Sequence, residues 1–283
     1  MNQFMPGQRG ELKPINRTKL RLALGKIYYT TKRYELWYFG NIKFAKVQNI
    51  TLQYNCFSHK TPLLRELRDV DMHLQYNKIQ NLKLAVKKLN GVVIYQGETL
   101  SYWELIGKPT KRKGYLEGMV LFCGNVKSGI GGGLCQLSNL IYWMTLHTPL
   151  TVVERYRHSF DVFPDSNRTQ PFGSGATCVY NYRDLMIKND TSQTFQLFFE
   201  VTEKNLIGCC KSDMSMNYHY EIYEKEHRME REYWGGYSRH NELYRKVYDE
   251  QNNMIADEFV VENHTLMMYQ PFIDWAAEEN EIK

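Results

Sequence analysis

The sequence has no long apolar run. The longest apolar stretch near its start is Leu22-Ala23-Leu24, whereas the core of a secretory signal peptide needs about 7–15 apolar residues. A membrane-spanning helix needs roughly 20 apolar residues, and no segment approaches that length. These absences predict a protein that stays in the cytoplasm or at the membrane periphery, and they leave action outside the cell open.

The sequence also lacks the cysteine spacing of a disulfide scaffold or a structural zinc site. Its six cysteines are scattered over 283 residues, and no Cys-x-x-Cys occurs among them. No histidine lies at short spacing from a cysteine pair, as the usual zinc-finger ligand sets require. We therefore expect free thiols, no metal site and no cofactor.

The charge is uneven along the chain. Hydrophobic residues make up 43% of the sequence, which is enough for a folded core, and the net charge is +5. Residues 1–46 contain ten Lys and Arg against two Glu. This basic segment predicts contact with an anionic membrane surface or another polyanion, and the alternative is a solvated basic face. Nucleic-acid binding is not expected, because the aromatic pattern of an RNA-binding motif is absent.

The most informative stretch is a glycine loop that leads into a cysteine. Gly131, Gly132 and Gly133 precede Leu134 and Cys135, and an apolar stripe of helical spacing follows. The spacing predicts a helix that begins near Cys135 and ends near His147, before Pro149.

A cysteine at the start of a helix can act as a nucleophile. The positive end of the helix dipole favours the thiolate, and glycines leave backbone N–H groups open to an oxyanion. Gln136 is a candidate oxyanion donor, and Ser138 is a candidate capping or substrate contact. The alternative is that Cys135 packs as a small hydrophobic side chain.

The best candidate for the base beside Cys135 is His158. His147 is excluded because it lies twelve residues along the same helix, about 18 Å from Cys135. His158 lies near the end of a strand predicted over residues 150–159, which can return towards the start of the helix. Glu154 and Tyr156 share its face of that strand and are candidates to orient the ring.

The pattern of elements predicts an α+β fold. We expect a mixed or antiparallel sheet packed on a central helix that carries Cys135, followed by a hairpin-rich extension. Further helices are predicted from Pro62 and over residues 77–89, and residues 176–180 and 185–187 are predicted to form paired strands. The chain divides into a basic helical region (1–74), a core domain (75–205) and a Tyr-rich β extension (206–283).

Six segments together resemble the VanW family. The first is Gly-Gly-Gly-Leu-Cys-Gln-Leu-Ser at 131–138, and the others are 81–85, 97–103, 154–159, 173–177 and 185–191. The resemblance covers residues 75–205 well and the flanks loosely. Many family members have Asp where this chain has Gly175, and an Asp that orients the histidine would be missing here.

The resemblance implies a role at the cell wall. Some family members carry this domain as the catalytic unit of an L,D-transpeptidase, in which a cysteine attacks a stem-peptide carbonyl and passes the acyl group to an amine. It therefore implies Cys135 as nucleophile, His158 as base and a peptidoglycan stem peptide or related amide as substrate. One alternative is a non-catalytic accessory or binding protein of glycopeptide resistance or wall homeostasis. Another is a papain-like hydrolase, which the short Cys-to-His separation disfavours.

Overall fold

The computed structural model describes residues 18–64, 71–122, 124–162 and 170–271. These residues form an α+β fold, which confirms the predicted class. The helices are α1 (Lys19–Tyr38), α2 (Met72–Leu89), α3 (Tyr102–Ile106) and α4 (Cys135–Leu146), with a short 3₁₀ turn at Lys111–Lys113. The strands are β1 (Lys46–Val47), β2 (Tyr54–Pro62), β3 (Val92–Ile94), β4 (Thr99–Ser101), β5 (Glu117–Phe122), β6 (Asn125–Ile130), β7 (Thr151–Glu154), β8 (Phe160–Asp161), β9 (Met186–Lys188), β10 (Phe195–Val201), β11 (Asn205–Ser212), β12 (His219–Arg231), β13 (Tyr237–Tyr248) and β14 (Met254–Met267).

The largest sheet has the strand order β1-β3-β10-β11-β2, and all of its pairs are antiparallel. Helix α4 contacts β11 and β2, whereas α2 contacts β10. The apolar stripe of α4 is buried, with Leu137 and Ile141 fully covered. Gly208 on β11 allows a close approach, because a Cβ there would lie 2.4 Å from Sδ of Met144.

Helix α2 confirms the helix predicted over residues 77–89 and begins five residues earlier. Asp71 caps its amino end by accepting a hydrogen bond from the His73 amide at 3.1 Å. Leu82, Ala85 and Leu89 on one face are fully buried. The 3.6-residue spacing of these side chains is the feature that made the helix predictable.

The remaining strands form three smaller sheets. Two of them are β4-β9-β7 and the hairpin β5-β6. The third has the order β12-β13-β14-β8, in which only β8 runs parallel to its neighbour. Long antiparallel hairpins beyond residue 210 confirm the predicted extension, with a turn at Gly235-Gly236. The division at residues 74 and 205 stays a proposal, and the five-stranded sheet contains strands from both sides of each boundary.

Three local predictions are wrong. Pro62 ends strand β2 instead of starting a helix, and residues 65–70 of that predicted helix lie outside the described part of the chain. Strand β9 pairs with β4 and β7, while Val179 forms only an isolated bridge to Arg183. The strand predicted over 150–159 ends at Glu154. Short apolar runs do not separate helix from strand, which explains the first error. The other two concern strand partners and strand length, which contacts between distant segments decide.

Helix α1 is docked by its second half. Trp37 donates a hydrogen bond from Nε1 to Ser101 Oγ at 3.1 Å, and Arg33 is buried. The first half exposes Leu20, Leu24 and Ile27, each to more than half of its surface. None of the helices in the described ranges is long and apolar enough to span a bilayer.

Candidate functional site

The glycine loop between β6 and α4 is shaped by close backbone contacts. Gly131 and Gly133 have φ values of +75° and +88°, a left-handed region that favours glycine. A Cβ on Gly132 would lie 2.2 Å from the carbonyl group of Gly118 on β5, so no side chain fits between the two strands of backbone. The loop therefore requires glycine for conformation at two positions and for space at the third.

A buried asparagine on α2 holds this loop in place. Asn81 donates hydrogen bonds from Nδ2 to the carbonyl oxygens of Gly132 (2.9 Å) and Leu116 (3.1 Å). Its Oδ1 accepts a hydrogen bond from the Leu116 amide at 2.8 Å. Sequence reasoning did not single out Asn81 as a site residue. The available signal was a polar residue next to Leu82 and Ala85 on the buried side of α2, which needs a partner when buried.

Three consecutive amides are open at the start of α4. The N–H groups of Gly133, Leu134 and Cys135 donate no hydrogen bond to any other residue in the described ranges. Leu134 at the N-cap position supplies no side-chain cap. These unpaired donors give the start of α4, where Cys135 lies, the partial positive charge of a helix amino end.

The thiol of Cys135 is partly buried. Its Sγ lies 3.9 Å from the carbonyl oxygen of Cys178, to which it donates a weak hydrogen bond. Burial raises the pKa of Cys135 above its ordinary value, and the backbone hydrogen bonds at Cys178 and Cys135 oppose this only partly. Burial therefore works against the resting thiolate that a helix amino end favours, and the thiolate stays a prediction.

Tyr102 and Cys178 complete the surroundings of the thiol, and sequence reasoning did not identify either. The Tyr102 hydroxyl donates a hydrogen bond to the Leu134 carbonyl oxygen at 2.9 Å. Burial raises the pKa values of both Tyr102 and Cys178 well above their ordinary values. The immediate environment of Cys135 is therefore neutral and poorly hydrated.

Ser138 and Gln136 already have partners within the fold. Ser138 is fully buried and donates to the Ala176 carbonyl oxygen at 2.7 Å, so it anchors the segment beside the site and does not face a substrate. Gln136 donates from Nε2 to Thr61 Oγ1 and to the Pro62 carbonyl oxygen, each at 2.9 Å. Oxyanion donation by Gln136 would require these bonds to open.

His158 does not contact Cys135. Across the described ranges, no hydrogen bond joins its ring to the thiol. Burial, followed by the charges of Arg155 and Arg183, lowers the pKa of His158 to about 4. The imidazole is therefore neutral at pH 7. The segment of His158 nevertheless runs beside the site, because the Thr177 amide donates to the Tyr156 carbonyl oxygen at 2.7 Å.

Glu154 faces an arginine instead of His158. Arg33 on α1 donates to both carboxylate oxygens of Glu154, one of them at 2.8 Å, and lies 3.8 Å from the carboxylate of Asp184. Tyr156 is partly exposed, and the guanidinium carbon of Arg183 lies 5.6 Å from the centroid of the Tyr156 ring. Neither Glu154 nor Tyr156 forms a described contact with the His158 ring, so an orienting role for either stays a prediction.

Asn139 fills the space beside Gly175, where many family members have Asp. Its Oδ1 accepts a hydrogen bond from the Ala176 amide at 2.8 Å. A Cβ on Gly175 would lie 2.7 Å from this same Oδ1. The glycine and the asparagine therefore fit each other, and a carboxylate at position 175 would displace the amide.

The C-terminal extension packs on the loop next to the site. Asn241 on β13 donates to the Phe172 carbonyl oxygen at 2.7 Å, and Asn263 on β14 donates to Asn241 Oδ1 at 2.9 Å. Gly173 leaves room for Asn263, because a Cβ there would lie 2.1 Å from its Nδ2. Arg155 binds the carbonyl oxygens of Gly173 and Gly175. The extension therefore supports the segment that leads to Cys178.

Comparisons with known proteins agree with the resemblance. A family model described as "VanW like protein" matches residues 77–210. The chain is 38% identical over 172 residues to the vancomycin B-type resistance protein VanW of Enterococcus faecalis, which covers 61% of this chain and 62% of that protein. It is 28% identical over 117 residues to the uncharacterized protein YoaR of Bacillus subtilis, covering 41% of this chain and 37% of YoaR. The chain thus spans less than two thirds of either relative. No solved structure gives a significant match.

Proposed function

Because residues 77–210 match the VanW-like family, we propose that the chain transfers acyl groups through Cys135 on peptidoglycan stem peptides or a related amide. The observation that carries the proposal is the position of Cys135 as the first residue of α4, where the amides of Gly133, Leu134 and Cys135 donate no hydrogen bond to another described residue. Backbone N–H groups in this arrangement can stabilise the oxyanion that forms when a thiol attacks a carbonyl carbon.

The reaction proceeds in two acyl-transfer steps. Sγ of Cys135 bonds to the stem-peptide carbonyl carbon as its proton passes to a base. That proton then goes to the amine leaving group as the C–N bond breaks, which leaves a thioester on Cys135. An acceptor amine attacks the thioester and loses a proton, and Sγ regains a proton when the C–S bond breaks.

His158 is the proposed base. Its lowered pKa leaves the ring neutral but weakly basic at pH 7, while the raised pKa of Cys135 keeps the sulfur protonated. Proton removal must therefore accompany attack, instead of preceding it in a resting ion pair. The ring has to come within about 3 Å of Sγ, and such contacts often tighten only when substrate binds.

Product formation from a defined substrate tests the proposal. The purified chain is mixed with a disaccharide-tetrapeptide, and cross-linked or hydrolysed product is measured by mass spectrometry. We expect product from the parent and from Cys209→Ala, a control thiol on β11 whose Sγ donates to Asn55. Cys135→Ala should give none. Equal product from Cys135→Ala and the parent would overturn the cysteine mechanism.

A second candidate is a non-catalytic accessory or binding role in glycopeptide resistance or wall homeostasis. It is favoured by the raised pKa of Cys135 and by the lack of a contact with His158. The relative from Enterococcus faecalis carries vancomycin B-type resistance in its name. In this case stem peptide should bind equally to the parent and to Cys135→Ala, as measured by calorimetry, while neither yields product.

We propose that the exposed first half of α1 contacts an anionic membrane surface and that the chain lies at the membrane periphery, whereas residues 1–17 of the basic segment lie outside the described residues. Leu20, Leu24 and Ile27 lie on one side of the helix and are 57–70% exposed. Lys19, Arg21 and Lys26 lie in the same turns and provide charge for anionic lipid headgroups. The α1 helix thus combines the two attractions that hold an interfacial helix on a bilayer.

A further inference from the structure

Two histidines and a glutamate meet in the C-terminal extension, away from the cysteine site. His240 on β13 and His264 on β14 are directly paired across the sheet, and their ring centroids are 3.9 Å apart. Glu232 follows the last residue of β12, where a turn returns the chain to β13. Three neighbouring strands therefore each bring one ligand-type side chain to the same place.

The donor atoms of this group are close enough to share one ion. One ligand atom from each of Glu232, His240 and His264 lies within 4.8 Å of the others. Tetrahedral zinc with nitrogen and oxygen ligands at about 2.1 Å places its ligand atoms about 3.4 Å apart. Small side-chain rotations would close the difference. His240 is buried, and Glu232 and His264 are partly buried.

One nitrogen in the group lacks a partner. Nε2 of His264 is buried and forms no hydrogen bond with any described residue. A buried polar atom without a partner destabilises the fold, so it needs an explanation. A bound cation would supply the missing interaction.

Some groups near the two histidines favour a bound cation, and others oppose it. Ser238 Oγ lies 2.9 Å from Nε2 of His240, which fixes the orientation of that ring. The Glu230 carboxylate lies 3.7 Å from the same nitrogen and adds negative charge. Arg157 and Arg228 add positive charge that opposes a cation.

We propose that Glu232, His240 and His264 bind a divalent transition-metal ion, with Zn²⁺ as the best match to two imidazoles and one carboxylate. The ion links the ends of β12, β13 and β14. Thr265, next to His264, donates from Oγ1 to the carbonyl oxygen of His158 at 3.4 Å. The metal site therefore stabilises the part of the extension that supports the segment of the proposed base.

Metal binding by the tag-free full chain tests this proposal. The metal-free protein is titrated with ZnCl₂ by calorimetry, and Co²⁺ is added separately to record the visible absorption of a tetrahedral site. We expect one equivalent of Zn²⁺ to bind and to raise the Tm. His264→Gln should weaken Zn²⁺ binding more than tenfold and abolish the Co²⁺ absorption, with unchanged far-UV circular dichroism.

A matched variant separates this site from adventitious binding. His73→Gln removes an exposed histidine at the start of α2, which pairs only with Asp71 in the described structure. It should bind Zn²⁺ as the parent does. The proposal is overturned by absence of binding to the parent, by parent-like affinity of His264→Gln, or by an equal loss in His73→Gln. Should His264→Gln not fold, Glu232→Gln at the exposed side of the cluster gives the same readout.

Discussion

The substitution Asp184→Asn should change how stability depends on pH. Asp184 is fully buried and accepts hydrogen bonds from Ser101 Oγ and from the amides of Trp103 (3.0 Å) and Leu185 (2.9 Å). Burial raises the pKa of Asp184 from its ordinary value to about 7, because it outweighs these hydrogen bonds and the charge of Arg33. The folded protein therefore keeps a proton that the unfolded chain releases near pH 4.

The size of the effect follows from the two pKa values. Between about pH 4 and about pH 7 the unfolded chain releases the Asp184 proton, whereas the folded state keeps it. Rising pH therefore favours the unfolded chain, and the free energy of unfolding falls. A difference of about three between the pKa values corresponds to as much as about 4 kcal/mol. Asn cannot titrate, so the variant should gain stability relative to the parent by up to this amount over the same range.

Urea unfolding at pH 4.5, 5.5, 6.5 and 7.5 measures this difference directly, since all other titrating groups are common to both proteins. Asp190→Asn is the control, because Asp190 is exposed beside Lys188, which lowers its pKa. Its stability curve should run parallel to that of the parent over this range. Parallel curves for Asp184→Asn as well would refute the reasoning and show that Asp184 is ionised throughout.

Three further predictions concern the site and α1. Gly132→Ala should destabilise the fold strongly, because its Cβ would lie 2.2 Å from Gly118. Gly25→Ala, where a Cβ meets nothing within 4 Å, should stabilise α1 by about 1 kcal/mol. Thermal unfolding measures both variants, and equal effects would contradict the packing argument. Iodoacetamide labelling of Cys135, followed by peptide mapping, should have a pH midpoint above the ordinary thiol value, and a midpoint below pH 8 would show that burial does not control the thiol. Leu24→Glu should abolish sedimentation of the protein with vesicles of anionic lipid. Ile255→Glu, at a similarly exposed aliphatic position on β14, should sediment with them as the parent does. Equal binding of both variants to the vesicles would exclude α1 as the membrane contact.

The sequence predicted the parts of the site that depend on local pattern. The glycine loop, the helix from Cys135 and the buried stripe of α4 follow from residue type and spacing alone. The family segments also pointed to the correct regions of the chain, because residues 77–210 match the family. Contacts between distant segments were not predictable in this way. Glu154 binds Arg33, which lies 121 residues earlier in the sequence.

The sequence also did not reveal how strongly the Cys135 thiol is desolvated. The helix dipole at Cys135 can be inferred from sequence, but the burial that raises its pKa depends on how distant segments pack around it. The proposed metal ligands likewise come from β13, β14 and the turn after β12, with His240 and His264 separated by 24 residues. Sequence spacing near the cysteines carried no sign of it, because the ligands are neither cysteines nor close in the chain.

Intact-mass spectrometry of the chain incubated with a stem peptide shows whether the acyl group is carried by Cys135. We expect an added mass equal to the transferred acyl fragment, mapped to Cys135 and released by hydroxylamine, as for a thioester. Cys135→Ser should give no hydroxylamine-labile adduct. A parent protein that forms product while Cys135 stays unmodified, or that carries the adduct on another residue, would contradict it.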